Sequence, residues 1–190
     1  MKEPSRQRRV LVIGLSATTN EEVVASLRDL GIDAVGCTEP DSAAEVFDAC
    51  QFGVIAFGRG ALGPRVDRLK RAFSQQDPSV RFVDAFGPIA VAQVVAALHR
   101  GPGSPVFVDN LTVAPDGPGA RVRARVLIAC HLTVTVYRRP DQGAMEERCL
   151  HDAGVTAGPV TYPVAGADLY QAYSLVAVAN REEFHHLPFL

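Results

Sequence analysis

Residues 52–58, with the sequence FGVIAFG, decide the fold of the first half of the chain. They form a short apolar run between turn residues, and such runs are typical of strands buried on both faces of a parallel sheet. A similar run, VLVI, occupies residues 10–13. The two runs predict a parallel sheet, because antiparallel strands with one solvent-exposed face alternate between apolar and polar residues instead.

Helical patterns follow the predicted strands. Thr19 and Glu22 form a capping box at the start of the first helix, and Gly31 is placed to end it. Further strands are predicted at residues 32–37 and 80–83, and further helices from Asp41, over 64–73 and over 89–98. Four βα units in a row predict an α/β domain over residues 8–100, because right-handed crossovers place helices on both faces of the sheet.

This rhythm resembles that of response-regulator receiver domains. The resemblance rests on residues 10–13, on Leu30-Gly31, on residues 33–35 and on residues 41–45. It implies a flavodoxin-like fold, an Mg²⁺ site after the first strand and a phosphorylated Asp at the end of the third. Here Gly14-Leu15 follows the first strand and Phe57 ends the third. Without carboxylates the resemblance implies a shortened pseudo-receiver with neither metal nor aspartyl phosphate.

An alternative hypothesis concerns the first loop, residues 14–20. A hydroxyl-rich loop before a helix can bind an anion through free N–H groups and the helix dipole. The loop matches neither G-x-G-x-x-G nor G-x-x-x-x-G-K-[ST]. The candidate anion-binding residues are Ser16, Thr18, Thr19, Asn20 and Arg59. Arg59 also belongs to a basic cluster that is either a solvated helix face or an anionic-partner surface; its other members are Arg65, Arg68, Lys70 and Arg71.

Residues 101–105, GPGSP, are predicted to be a linker, and the spacing of apolar residues changes after them from helical to alternating. Even positions from Val122 to Val136 are apolar or small and odd positions are mostly polar, as in a half-solvated antiparallel sheet. We expect this stretch to break into two strands near residues 128–131, because strands seldom exceed ten residues. Six or seven short strands over residues 106–190 predict a β-sandwich.

The second half resembles the immunoglobulin-like or fibronectin type III-like modules typified by the flagellar hook-capping protein. The resemblance rests on residues 131–137, 157–162 and 170–178. It implies adhesion, spacing or assembly without catalysis. The last residues, 184–190, are expected to cover a sheet edge or to cross to a second subunit, because edge strands are ready pairing sites.

Composition excludes several functions. A net charge of −2 gives no field that would attract nucleic acid or an anionic membrane, and no apolar run is long enough to span one. The start of the chain lacks the apolar stretch of a secretory signal, so we expect a cytoplasmic protein. The four cysteines form no C-x-x-C pair, and neither G-x-S-x-G nor H-E-x-x-H occurs. We therefore expect no metal, no cofactor and no catalytic residue.

Two functional hypotheses remain from the sequence. The first is a non-catalytic protein-interaction or signalling-adaptor protein with an unidentified protein partner, which we expect to be a homodimer. The alternative is a small-anion or nucleotide-binding sensor that uses the first loop and Arg59. Ligand-dependent stabilisation distinguishes them, because only a ligand that binds the native state raises its stability.

Overall fold

The computed structural model describes residues 9–58, 63–101, 103–140 and 144–189. The chain divides into two compact units, Met1–Gly101 and Pro102–Leu190. None of the helices that the structure describes has the length and apolar character needed to cross a membrane.

The first unit is built on four parallel strands in the order β2-β1-β3-β4. The strands are β1 (Val10–Ile13), β2 (Ala34–Cys37), β3 (Val54–Gly58) and β4 (Arg81–Ala85). The helices are α1 (Ala17–Asp29), α2 (Ala43–Val46), α3 (Pro64–Gln76) and α4 (Ala90–His99). The predicted α/β class is confirmed, and the strand order is that of a flavodoxin-like sheet.

The two faces of this sheet bury different helices. Alternate strand residues such as Ile55 and Phe57 pack with the apolar side of α3, whose buried residues are Val66, Leu69 and Phe73. The intervening residues pack with α1 and α4; they include Val10, Val12, Val54 and Ala56. Each continuous apolar run therefore contributes residues to two hydrophobic cores, one on each face of the sheet.

The second predicted helix is wrong in extent. Instead of one helix from Asp41, the chain forms a 3₁₀ turn at Pro40–Ser42, the four-residue α2 and another 3₁₀ turn at Ala49–Gln51. Phe47 leaves the helix with an extended backbone, and the Asp48 side chain accepts a hydrogen bond from the N–H of Cys50, which caps the next turn.

The second unit is a β-sandwich, which confirms the predicted all-β region. One antiparallel sheet has the order β5-β6-β9 and the other β11-β10-β7-β8. The two sheets share one apolar core. The first three strands are β5 (Val108–Asp116), β6 (Gly119–Val126) and β7 (Cys130–Arg138). After them come β8 (Glu146–Val155), β9 (Gly158–Val164), α5 (Gly166–Leu169), β10 (Ala172–Ala179) and β11 (Glu183–Pro188). The predicted break in the alternating stretch is confirmed, because β6 ends at Val126 and β7 begins at Cys130.

The last strand, β11, pairs with β10 of its own chain and forms one edge of the larger sheet. The predicted tail segment thus lies at a sheet edge. Neighbouring side chains on β11 point to opposite faces, so His185 contacts Glu183 whereas His186 contacts Ser174.

Glu183 connects the end of the chain to the start of the sandwich. Its buried carboxylate accepts hydrogen bonds from the N–H groups of Phe107 and Val108, both at 2.9 Å, and lies 2.6 Å from Nε2 of His185. Burial raises the pKa of Glu183, but the His185 contact and the two backbone donors outweigh it, so the pKa lies below its usual value.

We predict that Glu183→Gln destabilises the sandwich by about 1–3 kcal/mol at neutral pH, because a charged acceptor of two buried donors is lost. A lowered pKa stabilises the fold above the unfolded value of 4.5, and this contribution disappears as the pH falls through the folded pKa. The difference from wild type should therefore shrink in acid.

Urea unfolding followed by tyrosine fluorescence measures this effect. All four tyrosines lie in the second unit and the chain has no tryptophan, so the signal follows the sandwich alone. The matched control is Glu182→Gln, which changes an exposed neighbour. A pH-independent difference for Glu183→Gln would contradict the assignment.

Candidate functional site

The carboxyl edge of the parallel sheet is the place where this fold binds ligands. In open α/β sheets the crevice lies where the strand order reverses, which here is between β1 and β3. The loop after β1 contains Ser16, and the loop after β3 contains Arg59. Arg59 lies outside the described residues.

Ser16 caps helix α1. Its backbone is extended, its Oγ accepts a hydrogen bond from the N–H of Thr19 at 3.3 Å, and its hydroxyl donates to Oγ1 of Thr19 at 3.0 Å. The helix begins at Ala17, so the predicted capping box at Thr19 and Glu22 is wrong by one turn. Ser16 was overlooked as a cap because the position three residues later holds Thr instead of Glu or Gln.

Asn20 lies inside the fold. Its Nδ2 donates to the carbonyl of Val12 at 3.0 Å and to that of Cys37 at 3.1 Å, which joins the ends of β1 and β2. Gly36 on β2 provides the space, because a Cβ at that position would overlap Oδ1 of Asn20. The side chain is 5% exposed.

The structure therefore brings together part of the predicted anion loop. Ser16, Thr18 and Thr19 are exposed on the first turn of α1. The N–H groups of Thr19 and Asn20 are already bonded to Ser16. This turn offers a ligand three hydroxyl groups at a helix N-terminus, without the side-chain amide of Asn20.

Phe57 is fully buried at the end of β3, beside Ile13 of β1 and Asp84 of β4. Its ring centroid is 6.0 Å from that of Phe82 and 5.7 Å from Nζ of Lys70. The ring faces α3 as part of the core, so the end of β3 carries an apolar group and no carboxylate.

Lys70 of α3 binds Asp84 at the end of β4. Its Nζ donates to both carboxylate oxygens, at 2.7 and 2.9 Å. The Asp84 carboxylate of β4 thus binds a side chain of a different element. The cation and the acid at this edge neutralise each other.

The second unit contains a polar cluster that the sequence analysis missed. On the exposed face of β7 and β8, Oδ1 of Asp152 lies 2.7 Å from Nε2 of His131 and accepts a hydrogen bond from the Thr133 hydroxyl at 2.7 Å. These two donors, His131 first, hold the pKa of Asp152 below its usual value. Alternation places His131 and Thr133 on one face, but only the register with β8 reveals Asp152.

Two of the four cysteines are buried inside the fold. Cys37 and Cys130 are buried, and burial raises the pKa of both thiols, so they stay protonated at neutral pH. Cys50 is half-buried and Cys149 is exposed. Within the described ranges, no three His, Cys, Asp or Glu side chains are arranged to hold a metal ion.

We predict that Phe57→Asp lowers the stability of the first unit by about 3–5 kcal/mol, because it places a carboxylate in an apolar core and leaves a cavity. Phe57→Leu, which keeps the position apolar, should lose about 1 kcal/mol. Urea unfolding followed by circular dichroism in the helical band measures both, since the long helices lie in this unit. The result against this account is a Phe57→Asp variant as stable as wild type that gains a phosphoryl group from acetyl phosphate and Mg²⁺.

Comparisons with known proteins identify no family. No protein-family model matches the sequence, and no curated protein does. The solved structure of protein AGR_C_4864 from Agrobacterium tumefaciens is similar at 8% identity, covering 96% of this chain and 94% of that chain with a TM-score of 0.36. Catalytically inactive OgpA from Akkermansia muciniphila, in complex with an O-glycopeptide substrate, is similar at 13% identity, covering 62% of this chain and 38% of that chain with a TM-score of 0.27. Both TM-scores are too low for either likeness to carry an argument.

Proposed function

We propose that this chain is a non-catalytic protein-interaction or signalling-adaptor protein, cytoplasmic and homodimeric. In this proposal the first unit is a pseudo-receiver and the second an immunoglobulin-like or fibronectin type III-like module. Each unit provides a docking surface for protein, and neither performs chemistry.

The observation that supports the proposal most is the bonding at the carboxyl edge of the parallel sheet. An enzyme needs a nucleophile, an acid or a base directed at a free space. Here Phe57 fills the phosphoacceptor position, Lys70 is bound to Asp84, and Asn20 is bound to backbone carbonyls. In this proposal the pairing of Lys70 with Asp84 and of Asn20 with backbone carbonyls serves the fold.

Exposed apolar side chains support a docking role. In the first unit, Leu15 is 52% exposed at the carboxyl edge of the sheet and Val46 is 68% exposed on α2. Among the described residues of the second unit, the exposed large apolar side chains are Val106, Leu127, Ile128 and Tyr170. Aromatic and aliphatic side chains of this kind anchor protein interfaces.

The sensor remains the second candidate because the exposed hydroxyls of Ser16, Thr18 and Thr19 surround the N-terminus of a thirteen-residue helix. A helix N-terminus favours anions through its dipole. This candidate requires that Ser16 exchange its capping role for contact with a ligand.

A thermal-shift screen separates the two functions. We predict no shift with ATP, NAD, inorganic phosphate or acetyl phosphate, each with and without Mg²⁺, and a mass by light scattering of twice the 20.3 kDa chain. A ligand at a hundred times its Kd would instead add about 2.7 kcal/mol to the stability.

The matched variants are Ser16→Ala and Ser26→Ala, which remove one hydroxyl each from the same helix. A saturable shift that Ser16→Ala abolishes and Ser26→Ala preserves would overturn the adaptor proposal in favour of the sensor. A mass equal to one chain would remove the homodimer from it.

A further inference from the structure

Three arginines stand in a row on the outer face of the smaller sheet of the sandwich. Along β6, Val122, Ala124 and Val126 are buried in the core, and the alternating side chains lie on the solvent side. Those side chains belong to Arg121, Arg123 and Arg125, which we call the arginine row.

The row is only partly neutralised. Arg121 binds Asp116, with Nη2 and Nε at 2.5 and 3.1 Å from the same carboxylate oxygen. Apart from the backbone pairing of β6, the side chains of Arg123 and Arg125 make no hydrogen bond or ion pair with another residue that the structure describes. Asp109, which stands opposite Arg125, has both carboxylate oxygens bonded to Asn110.

The side chains that flank the arginine row on the neighbouring strands are short. Thr112 of β5 and Thr161 of β9 flank Arg123. Arg121 and Arg125 have Pro163 and Pro159 as their neighbours on β9. These neighbours on β9 are short or rigid, and Arg123 and Arg125 are exposed, so their guanidinium groups stay accessible to a partner.

Arg121 forms an ion pair within the sheet, but the fold gains little from the charges of Arg123 and Arg125. Like charges on adjacent sites of one face repel, and β-branched residues suit a solvent-facing central strand better than arginine does. The core side of β6 already supplies the apolar packing. Three arginines at alternate positions therefore indicate a use outside the sandwich core.

We propose that the arginine row binds an extended acidic segment of another protein, with carboxylates at alternate residues. Alternate side chains on an extended chain repeat every ~6.8 Å, which is also the spacing of the arginines along β6. The guanidinium groups of Arg123 and Arg125 can each donate two hydrogen bonds to one carboxylate in bidentate geometry. This inference rests on the proposed function, since it names the partner chemistry of one docking surface.

A long nucleic acid is a poorer occupant. The whole chain has a net charge of −2, so it provides no general attraction for a polyanion. The arginine row is only about 14 Å long, so a long polyanion would extend well beyond it. A short acidic segment matches that length.

The test is fluorescence anisotropy with the full chain and a labelled peptide of alternating Glu and Thr. We expect saturable binding that weakens as salt is added, and about tenfold weaker binding for the double variant Arg123→Gln/Arg125→Gln. The matched control is Arg148→Gln/Arg181→Gln, which removes two exposed arginines of the same unit that lie outside the smaller sheet and should change the affinity less than about twofold. A peptide with Gln in place of Glu should not bind.

Absence of peptide binding, or an equal loss in both double variants, overturns this assignment. So does tighter binding of a single-stranded oligonucleotide to the arginine row. A dimer that dissociates in Arg123→Gln/Arg125→Gln would assign the row to a second copy instead. None of these results produces the nucleotide-dependent thermal shift that would overturn the proposed function, so the two failures are distinguishable.

Discussion

The side-chain amide of Asn20 lies across the ends of β1 and β2, and the first βα connection is arranged around it. Both of its N–H bonds are used, one on Val12 and one on Cys37. The carbonyl of Cys37 also accepts the N–H of Gly14, so both of its lone pairs are occupied. Buried carbonyls at strand ends need such donors, and Asn20 supplies them from the first turns of α1.

This constraint affects the function as well as the fold. A loop whose amide is turned inward has lost one of the donors that an anion would need, and Ser16 is bonded to Thr19. At the neighbouring strand ends, Phe57 is packed under α3 and Asp84 binds Lys70. The surfaces of the chain, including the arginine row, are then the places left for recognition, which agrees with the adaptor that we propose.

Much of the fold could be predicted from the sequence because its signals are local. Continuous apolar runs identified the parallel strands, and the alternation from Val122 to Val136 identified two antiparallel ones. The features that the sequence did not predict depend on contacts between residues distant in the sequence, or on competition between capping residues close to each other. The break after Val46 follows from a cap formed by Asp48, and Glu183 meets Val108 from 75 positions away. No periodicity reports such a pair.

The candidate site was less predictable for the same reason. Spacing located the loop after β1 but could not say that Asn20 turns inward or that Lys70 reaches Asp84. Gly36 was the one sequence signal for the buried Asn20 side chain, because a glycine inside a strand often marks the close approach of another group.

A double-mutant cycle on Asn20 and Gly36 tests the central claim most directly. Asn20→Ala should lower the free energy of unfolding by about 1–3 kcal/mol by leaving carbonyls without donors, and Gly36→Ala by a similar amount through overlap with the amide. In the Asn20→Ala background, the account predicts that Gly36→Ala becomes neutral or stabilising, because the overlapping group is gone and alanine suits a strand better than glycine. If the two substitutions lowered the free energy of unfolding additively, the result would contradict this account, and Asn20 would again be a candidate ligand-binding residue.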